Sequence, residues 1–300
     1  MKQSPFLYVI GIVLLGSLMA SSAAIWIRFL PGVSPIAISF IRVAGASMIF
    51  LPWFWHEWKR KSIKLREFRY SALAGIALAL HFATWISSLK YTTVANSVLF
   101  VATHPVFVIA ISLTILRLRV AKNQIIGSLV ALVGVVFIQW RELSFDSSAG
   151  LLSGESLGNI LALLGGFFAA VYLLLSWEAR KSLSTMLHVE VTYATAAIVL
   201  LVVLILVRNP LTPLPNGSIL FLGLLILLPT VGGHTIFNWG VHHIGAPRVS
   251  LFGLMEPIES ALLAFIILGE QVSLTTILGG CIIISGLLLA VWQRRVPADR

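Results

Sequence analysis

Two dipeptides lie 152 residues apart, His104-Pro105 and Glu256-Pro257, each near the middle of a long apolar run. Histidine changes charge near neutral pH. A carboxylate in apolar surroundings is costly unless a cation, a proton or water accompanies it. The proline beside each group cannot supply the amide that would bond the carbonyl four residues back, so the carbonyls of Val101 and Gly253 are expected to be free for a neighbouring helix, water or a ligand. The same prolines mark places where a helix bends. Glu259 is three residues beyond Glu256 and shares its helix face, which is therefore expected to point away from lipid. These residue types suit ligand binding or proton exchange in an apolar interior. His104 and Glu256 also allow a purely structural role, His104 as a hydrogen-bond donor to a neighbouring helix and Glu256 as the partner of a His or Arg.

Other polar groups interrupt apolar sequence in the same way. His81 opens the stretch HFATWISSLKYTT, which contains Trp85. His234 and Asn238 are four apart, on one helix face. Arg42 lies about seven residues inside a run, where it either extends to the nearer interface or turns inward to meet an anion or a carboxylate. Trp85 and Tyr172 (with Trp26 and Trp239) are candidate walls of a pocket, each an apolar ring with one polar handle. The histidines have no tight ligand set around them, so no metal and no cofactor is expected. Cys281 is the single cysteine, which excludes a disulfide within the chain.

The elements that must position these groups follow from hydropathy. The 300 residues are 58% hydrophobic and 11% charged, with a mean hydropathy of +0.98. A soluble domain carries about 25% charged residues. Ten apolar runs are long enough to cross a bilayer: 8–27, 35–55, 70–89, 94–116, 121–139, 158–177, 185–207, 218–237, 246–268 and 273–292. The first run shows no small-residue cleavage site and is expected to be retained. With ten spans and the N-terminus inside, 16 of the 21 basic residues fall on the inner side and four (Arg28, Lys90, Arg141, Arg208) on the outer, Arg42 being within a span. That bias places both termini in the cytoplasm. It also accounts for the net charge of +10 without a nucleic-acid partner. Trp53, Trp55 and Trp58 beside the basic cluster 59–69 read as an interfacial belt.

The chain also repeats itself. Displaced by 152 residues, positions 95–140 give 10 identities in 46, among them Pro105 on Pro257, Gly127 on Gly279, Gly134 on Gly286 and Trp140 on Trp292. Random apolar sequence gives about 4. A half with five helices is odd, so the second half enters the membrane from the opposite side. The expectation is an all-α membrane protein of two inverted five-helix repeats, 1–140 and 158–292, with a non-cytoplasmic linker 141–157 and a cytoplasmic tail 293–300. Inverted repeats around a site near the bilayer midplane are common in secondary transporters. Paired glycines at 165–166, 232–233 and 279–280 read as close-packing points. No phosphate-binding G-x-x-x-x-G-K-[ST] loop, T-V-G-Y-G filter or G-x-S-x-G elbow is present, so neither ATP-driven transport by this chain nor a hydrolase of that type is expected.

These features together resemble the drug/metabolite transporter superfamily in its EamA-type branch. The likeness covers about 8–292 and rests on Arg42, WISSLKYTTVANSVLFVATHPVFV, Gly127 and Gly134 in the first half. In the second it rests on GAPRVSLFGLMEPIESALLAFIILGE, Gly279, Gly280 and Gly286. The resemblance implies ten helices, and transport of a small metabolite (an amino acid, another metabolite or a drug-like compound) by alternating access without ATP, with export preferred and no enzyme activity. It directs attention to His81, Trp85, Asn96, His104, His234, Asn238 and Glu256 as cavity residues. It suggests a bacterial inner (plasma) membrane, with lipid and a small substrate as partners and protons as a possible coupling ion. Uptake, or a channel or scaffold role, are the alternatives, and oligomeric state stays open. One departure stands out: LRLRVAKNQ has no acid where the family has one after its fourth helix, so Glu270 is expected to be a structural helix-end residue rather than half of a pair.

Overall fold

A computed structural model describes residues 6–60, 63–140, 154–208 and 217–291. Its ten long apolar helices are α1 (Phe6–Arg28), α2 (Pro35–Arg60), α3 (Leu65–Ser88), α4 (Asn96–Thr114), α5 (Lys122–Gln139), α6 (Gly154–Ala179), α7 (Thr185–Leu206), α8 (Ser218–Ile244), α9 (Ala246–Leu268) and α10 (Leu274–Val291). No strand occurs among the described residues. Length and apolarity make each a membrane span, and the chain is an integral membrane protein. The second helix continues five residues past its expected end because Trp58, Lys59 and Arg60 prolong it into the interfacial zone. Of the expected linker, 154–157 begin α6, while 141–153 and the tail 293–300 lie outside the described residues.

The two five-helix halves meet in a pseudo-twofold manner. The long contacts are α3 with α6, α1 with α8, α2 with α7 and α5 with α10. Exchanging the halves turns the first of these pairings into the second and leaves the third and fourth unchanged. Side-chain environments repeat as well. The succession of buried, partly buried and exposed positions over 41–50 recurs unchanged over 191–200. At the same offset, the hydroxyls of Ser34 and Ser184 cap α2 and α7, accepting from the amides of Ala37 and Leu187 at 3.3 Å each.

Helices α5 and α10 touch through the glycines of the repeat. A Cβ on Gly127 would come 2.4 Å from the carbonyl oxygen of Gly286, and one on Gly134 would come 2.7 Å from that of Gly279. Backbone meets backbone, which only residues without a side chain allow.

Four helices are interrupted, all beside the space the halves enclose. The first span divides at Ser22 into Phe6–Ser21 and Ala23–Arg28. The Ser22 hydroxyl donates to the Met19 carbonyl at 2.7 Å and accepts from the Trp26 indole at 3.0 Å, taking over part of the local ladder. The fourth span divides into Val94–Val101 and His104–Thr114. The ninth divides into Ala246–Phe252, a 3-10 turn at Gly253–Met255, and Glu256–Leu268. In both, the proline is at the first turn of the second segment, where its missing amide costs nothing. The eighth widens to a π-helix over Ile226–His234, around Pro229 and Gly232-Gly233. Pro229 cannot bond the Leu225 carbonyl, and the Thr230 hydroxyl donates to it instead at 3.0 Å.

Candidate functional site

Between the halves is a cavity of about 90 Å³, lined among others by Ser17 and Ser21 of α1, Arg42 of α2, His81, Phe82 and Trp85 of α3, His104 of α4, Tyr172 of α6, His234 and Phe237 of α8, and Gly253 and Glu256 of α9. Seven residues expected from the sequence thus border one space: Arg42, His81, Trp85, His104, Tyr172, His234 and Glu256.

Arg42 faces inward, of the two orientations left open by its place in α2, and is 1% exposed. Its Nε donates to the Thr230 hydroxyl at 3.0 Å, so the π-helical segment of α8 fixes the guanidinium. The guanidinium carbon lies 4.1 Å from the centre of the Phe82 ring, a cation–π contact. Its Nη1 has no hydrogen-bond partner. The Glu256 side chain makes no hydrogen bond or ion pair with any described residue, and it borders the cavity that Arg42 also lines. A buried cation and a carboxylate, each with unused hydrogen-bonding capacity, therefore border the same volume.

The rings form the walls. His81 stacks on Trp85 with centroids 5.8 Å apart and contacts Phe82 at 5.0 Å; Phe82 meets His234 edge-on at 5.2 Å. His81 Nδ1 donates to the Gly165 carbonyl at 2.9 Å, which leaves Nε2 as its second polar atom. His234 Nδ1 and Trp85 Nε1 are buried without partners. Phe82 is not marked out in the sequence, although it follows His81; it is the ring on which Arg42 rests. Thr230 is not marked out either, and Pro229 beside it is the available signal.

The prolines act differently from expectation. The Val101 carbonyl is not free: His104 Nδ1 donates to it at 3.2 Å. The Gly253 carbonyl accepts the Glu256 amide through the 3-10 turn. The broken turns thus satisfy their own carbonyls, one by a side chain and one by tightening. The two interruptions also touch. The His104 ring packs on Gly253, where an added Cβ would be 2.4 Å from the ring Cε1.

Three expected cavity residues do not line it. Glu259 accepts the hydroxyls of Ser17 and Ser21, both at 2.7 Å, and fastens α9 to α1. Asn96 lies at the start of α4, where its amide nitrogen donates to Glu155 at 2.6 Å. Asn238 is behind the wall, with its amide nitrogen donating to the Tyr172 hydroxyl at 2.5 Å and to the His234 carbonyl at 2.8 Å. Trp26 and Trp239 also lie off the cavity: Trp26 bonds Ser22, and Trp239 packs on His243 at 4.1 Å. Glu270 pairs with Arg28 at 2.6 Å, joining the ends of α9 and α1 with about half of each side chain exposed.

The chain matches the EamA-like transporter family over residues 7–140 and again over 156–292, and it belongs to that family. It is 24% identical over 257 residues to the uncharacterized transporter YyaM of Bacillus subtilis, covering 85% of this chain and 83% of that one. An uncharacterized transporter of Archaeoglobus fulgidus is 24% identical over 285 residues, covering 94% and 95%. A WAT1-related protein of Arabidopsis thaliana is 23% identical over 288 residues, covering 88% and 81%. A crystal structure sharing 17% identity superposes with a TM-score of 0.75 over 94% of this chain and 97% of the other, which shows the shared fold. The chain is thus a membrane transporter, in a family whose relatives are named transporters rather than enzymes.

Proposed function

We propose that the protein is a secondary transporter, not an enzyme, that moves a small metabolite by alternating access, with export the preferred direction. The two halves act as five-helix domains that rock about the cavity. Both termini are cytoplasmic, and the membrane is the bacterial inner membrane. The observation that carries this reading is the cavity between the halves, in which Arg42 Nη1 and the Glu256 carboxylate both lack hydrogen-bond partners among the described residues. Unsatisfied groups of opposite charge in a water-poor space are costly to keep, and a polar substrate offsets that cost when bound. Glu256 also carries the coupling proton, which it exchanges when the cavity faces each side. His104, packed on Gly253 one turn before Glu256, positions the α4 break. Export is preferred on the resemblance to metabolite exporters.

The test compares metabolites released by cells producing the wild-type protein or E256Q at equal membrane levels. A compound enriched outside wild-type cells, and lost with E256Q, supports the reading. Accumulation inside wild-type cells instead identifies an uptake permease. Flux without saturation or counterflow identifies a channel.

A further inference from the structure

Behind the cavity wall, toward the end of the bundle that carries Arg117, Lys122, Arg180 and Lys181, a chain of buried polar groups crosses four helices. Ser71 of α3, His188 of α7, Asn238 of α8 and Tyr172 of α6 follow one another, all buried. The direction of each hydrogen bond is fixed by the groups at its ends. The His234 carbonyl can only accept, so the side chain of Asn238 must present its nitrogen there, at 2.8 Å, and to the Tyr172 hydroxyl at 2.5 Å. Asn238 Oδ1 therefore accepts, and His188 Nε2 donates to it at 3.0 Å. Neutral His188 then has a bare Nδ1, which accepts a hydrogen bond from the Ser71 hydroxyl at 2.9 Å. Thr192 closes the end of the chain, its single hydroxyl proton shared between the His188 carbonyl at 2.8 Å and the Ser71 carbonyl at 3.2 Å.

Beside this chain Arg180, just past the end of α6, bonds two backbone carbonyls, one in α8 and one in the turn that leads to α7. Its Nε donates to the Asn238 carbonyl at 3.2 Å, and its Nη1 donates to the Leu183 carbonyl. Burial lowers its pKa to about 10 against the opposing pull of Glu57, so it stays charged at neutral pH. Ser71, His188 and Asn238 are within about 10 Å of one end of the bundle by helical rise. The cavity-lining residues of α2 and α3, by contrast, are in the half nearer the other end, at Arg42, His81 and Trp85. The opposite end has no equivalent of the histidine: the residue 150 positions before His188, where the capping serines and burial pattern align, is the buried apolar Ile38.

We infer that Ser71–His188–Asn238–Tyr172 is the latch of the cytoplasmic gate, with His188 its positioning residue and Tyr172 its contact with the cavity. The inference rests on the proposed orientation and alternating-access reading. For the cytoplasmic end to open as the two halves rock, α3 must part from α6, α7 and α8, and the Ser71–His188 bond is the one in the chain that breaks. Tyr172 is at once the last link of the chain and a wall of the cavity, so a ligand that shifts its ring strains the latch directly.

The test is an accessibility measurement that needs no substrate. In a C281S background, A169C places a thiol in the cavity wall, and its modification by a membrane-impermeant methanethiosulfonate is followed in inside-out vesicles. His188→Leu removes both bonds at similar bulk, Ser71→Ala removes only the terminal hydroxyl, and His188→Gln keeps one donor and one acceptor. Modification from the cytoplasmic face is expected to rise about five- to thirtyfold with H188L and by a smaller factor with S71A, and to return toward the parent rate with H188Q. If H188L does not fold, S71A and H188Q decide alone. Rates within about twofold of the parent for H188L and S71A, or H188Q as fast as H188L, overturn the latch. Because the readout is thiol modification, it decides the latch whether or not a transported substrate is found.

Discussion

Replacing Gly253 with alanine tests whether the two helix interruptions are one mechanical unit. Gly253 has φ −64°, an ordinary helical value, so alanine is compatible with the backbone and any effect is steric. The new Cβ would be 2.4 Å from His104 Cε1 and 2.8 Å from Nε2. Van der Waals contact begins near about 3.5 Å, so the ring must retreat by roughly 1 Å. His104 cannot retreat freely, because Nδ1 holds the Val101 carbonyl at 3.2 Å. Moving the ring therefore breaks that bond or shifts the first half of α4. Overpacking of this kind costs about 1–3 kcal/mol, which lowers the midpoint of thermal unfolding by roughly 2–5 °C in a chain of this size. H104A opens space and is destabilising as well. In the G253A/H104A double variant the added methyl occupies vacated volume, so the losses do not add, with a coupling of about 1–3 kcal/mol. Thermal unfolding of the four purified proteins in detergent, followed by tryptophan fluorescence, measures the cycle. A G253A midpoint equal to wild type, or strictly additive losses, refutes the contact as the link between the breaks.

Two further predictions follow from packing. E259Q removes the charge that holds Ser17 and Ser21, and it is expected to lower stability by about 1–3 kcal/mol while leaving transport intact; E256Q does the reverse, as paired unfolding and flux measurements would show. At the α5–α10 seam, G127A drives a Cβ into the Gly286 carbonyl and the Ala290 backbone at 2.4 and 2.7 Å and is expected to cost about 1–3 kcal/mol. G11A, with nothing within 4 Å, should leave the unfolding midpoint unchanged. Equal midpoints for the two glycine variants would mean that close packing at the seam adds no stability.

Much of the architecture is readable in the sequence because lipid imposes few choices. A helix must satisfy its own backbone, so apolar length alone locates ten spans. A repeat of prolines and glycines then pairs the halves, and the glycine seam is where repeat-related positions meet. The cavity is partly readable. His104 and Glu256 are repeat-related polar residues in apolar runs, and both line it. Asn96, Asn238 and Glu259 do not, because a polar residue in a span states only that it avoids lipid, and a protein partner serves as well as a cavity. The sequence contains no mark that separates the carboxylate held by Ser17 and Ser21 from the carboxylate three residues earlier that has no such partners. Thr230 is unreadable for another reason: its role depends on a π-helical turn, set by Pro229 and by the approach of α1 to Gly233.

The halves share a backbone but not a chemistry. Capping serines, glycine contacts and proline breaks occur twice, since geometry is what the duplication preserves. The polar groups at related positions differ in kind. Arg42 has Thr192 at its related position, His188 has Ile38, and His104 has Glu256. In alternating access by inverted repeats, one end closes as the other opens, and closure at the two ends would be equivalent only if the side chains were. Closing the end at Arg180 forms a buried chain of neutral hydrogen bonds, each contributing about 1 kcal/mol, and houses a buried arginine on backbone carbonyls. Closing the other end gains the Arg28–Glu270 pair, which is about half exposed and worth at most about 1 kcal/mol, together with the Asn96–Glu155 and Thr92–Asn159 hydrogen bonds, both 2.6 Å, which join the chain around the start of α4 to the first turns of α6. On the proposed alternating-access reading, the two ends therefore close with different chemistry, a histidine-centred chain at one and carboxylate and amide contacts at the other. On that reading a substrate opens the end at Arg180 by acting through the cavity, where Tyr172 is the link within reach.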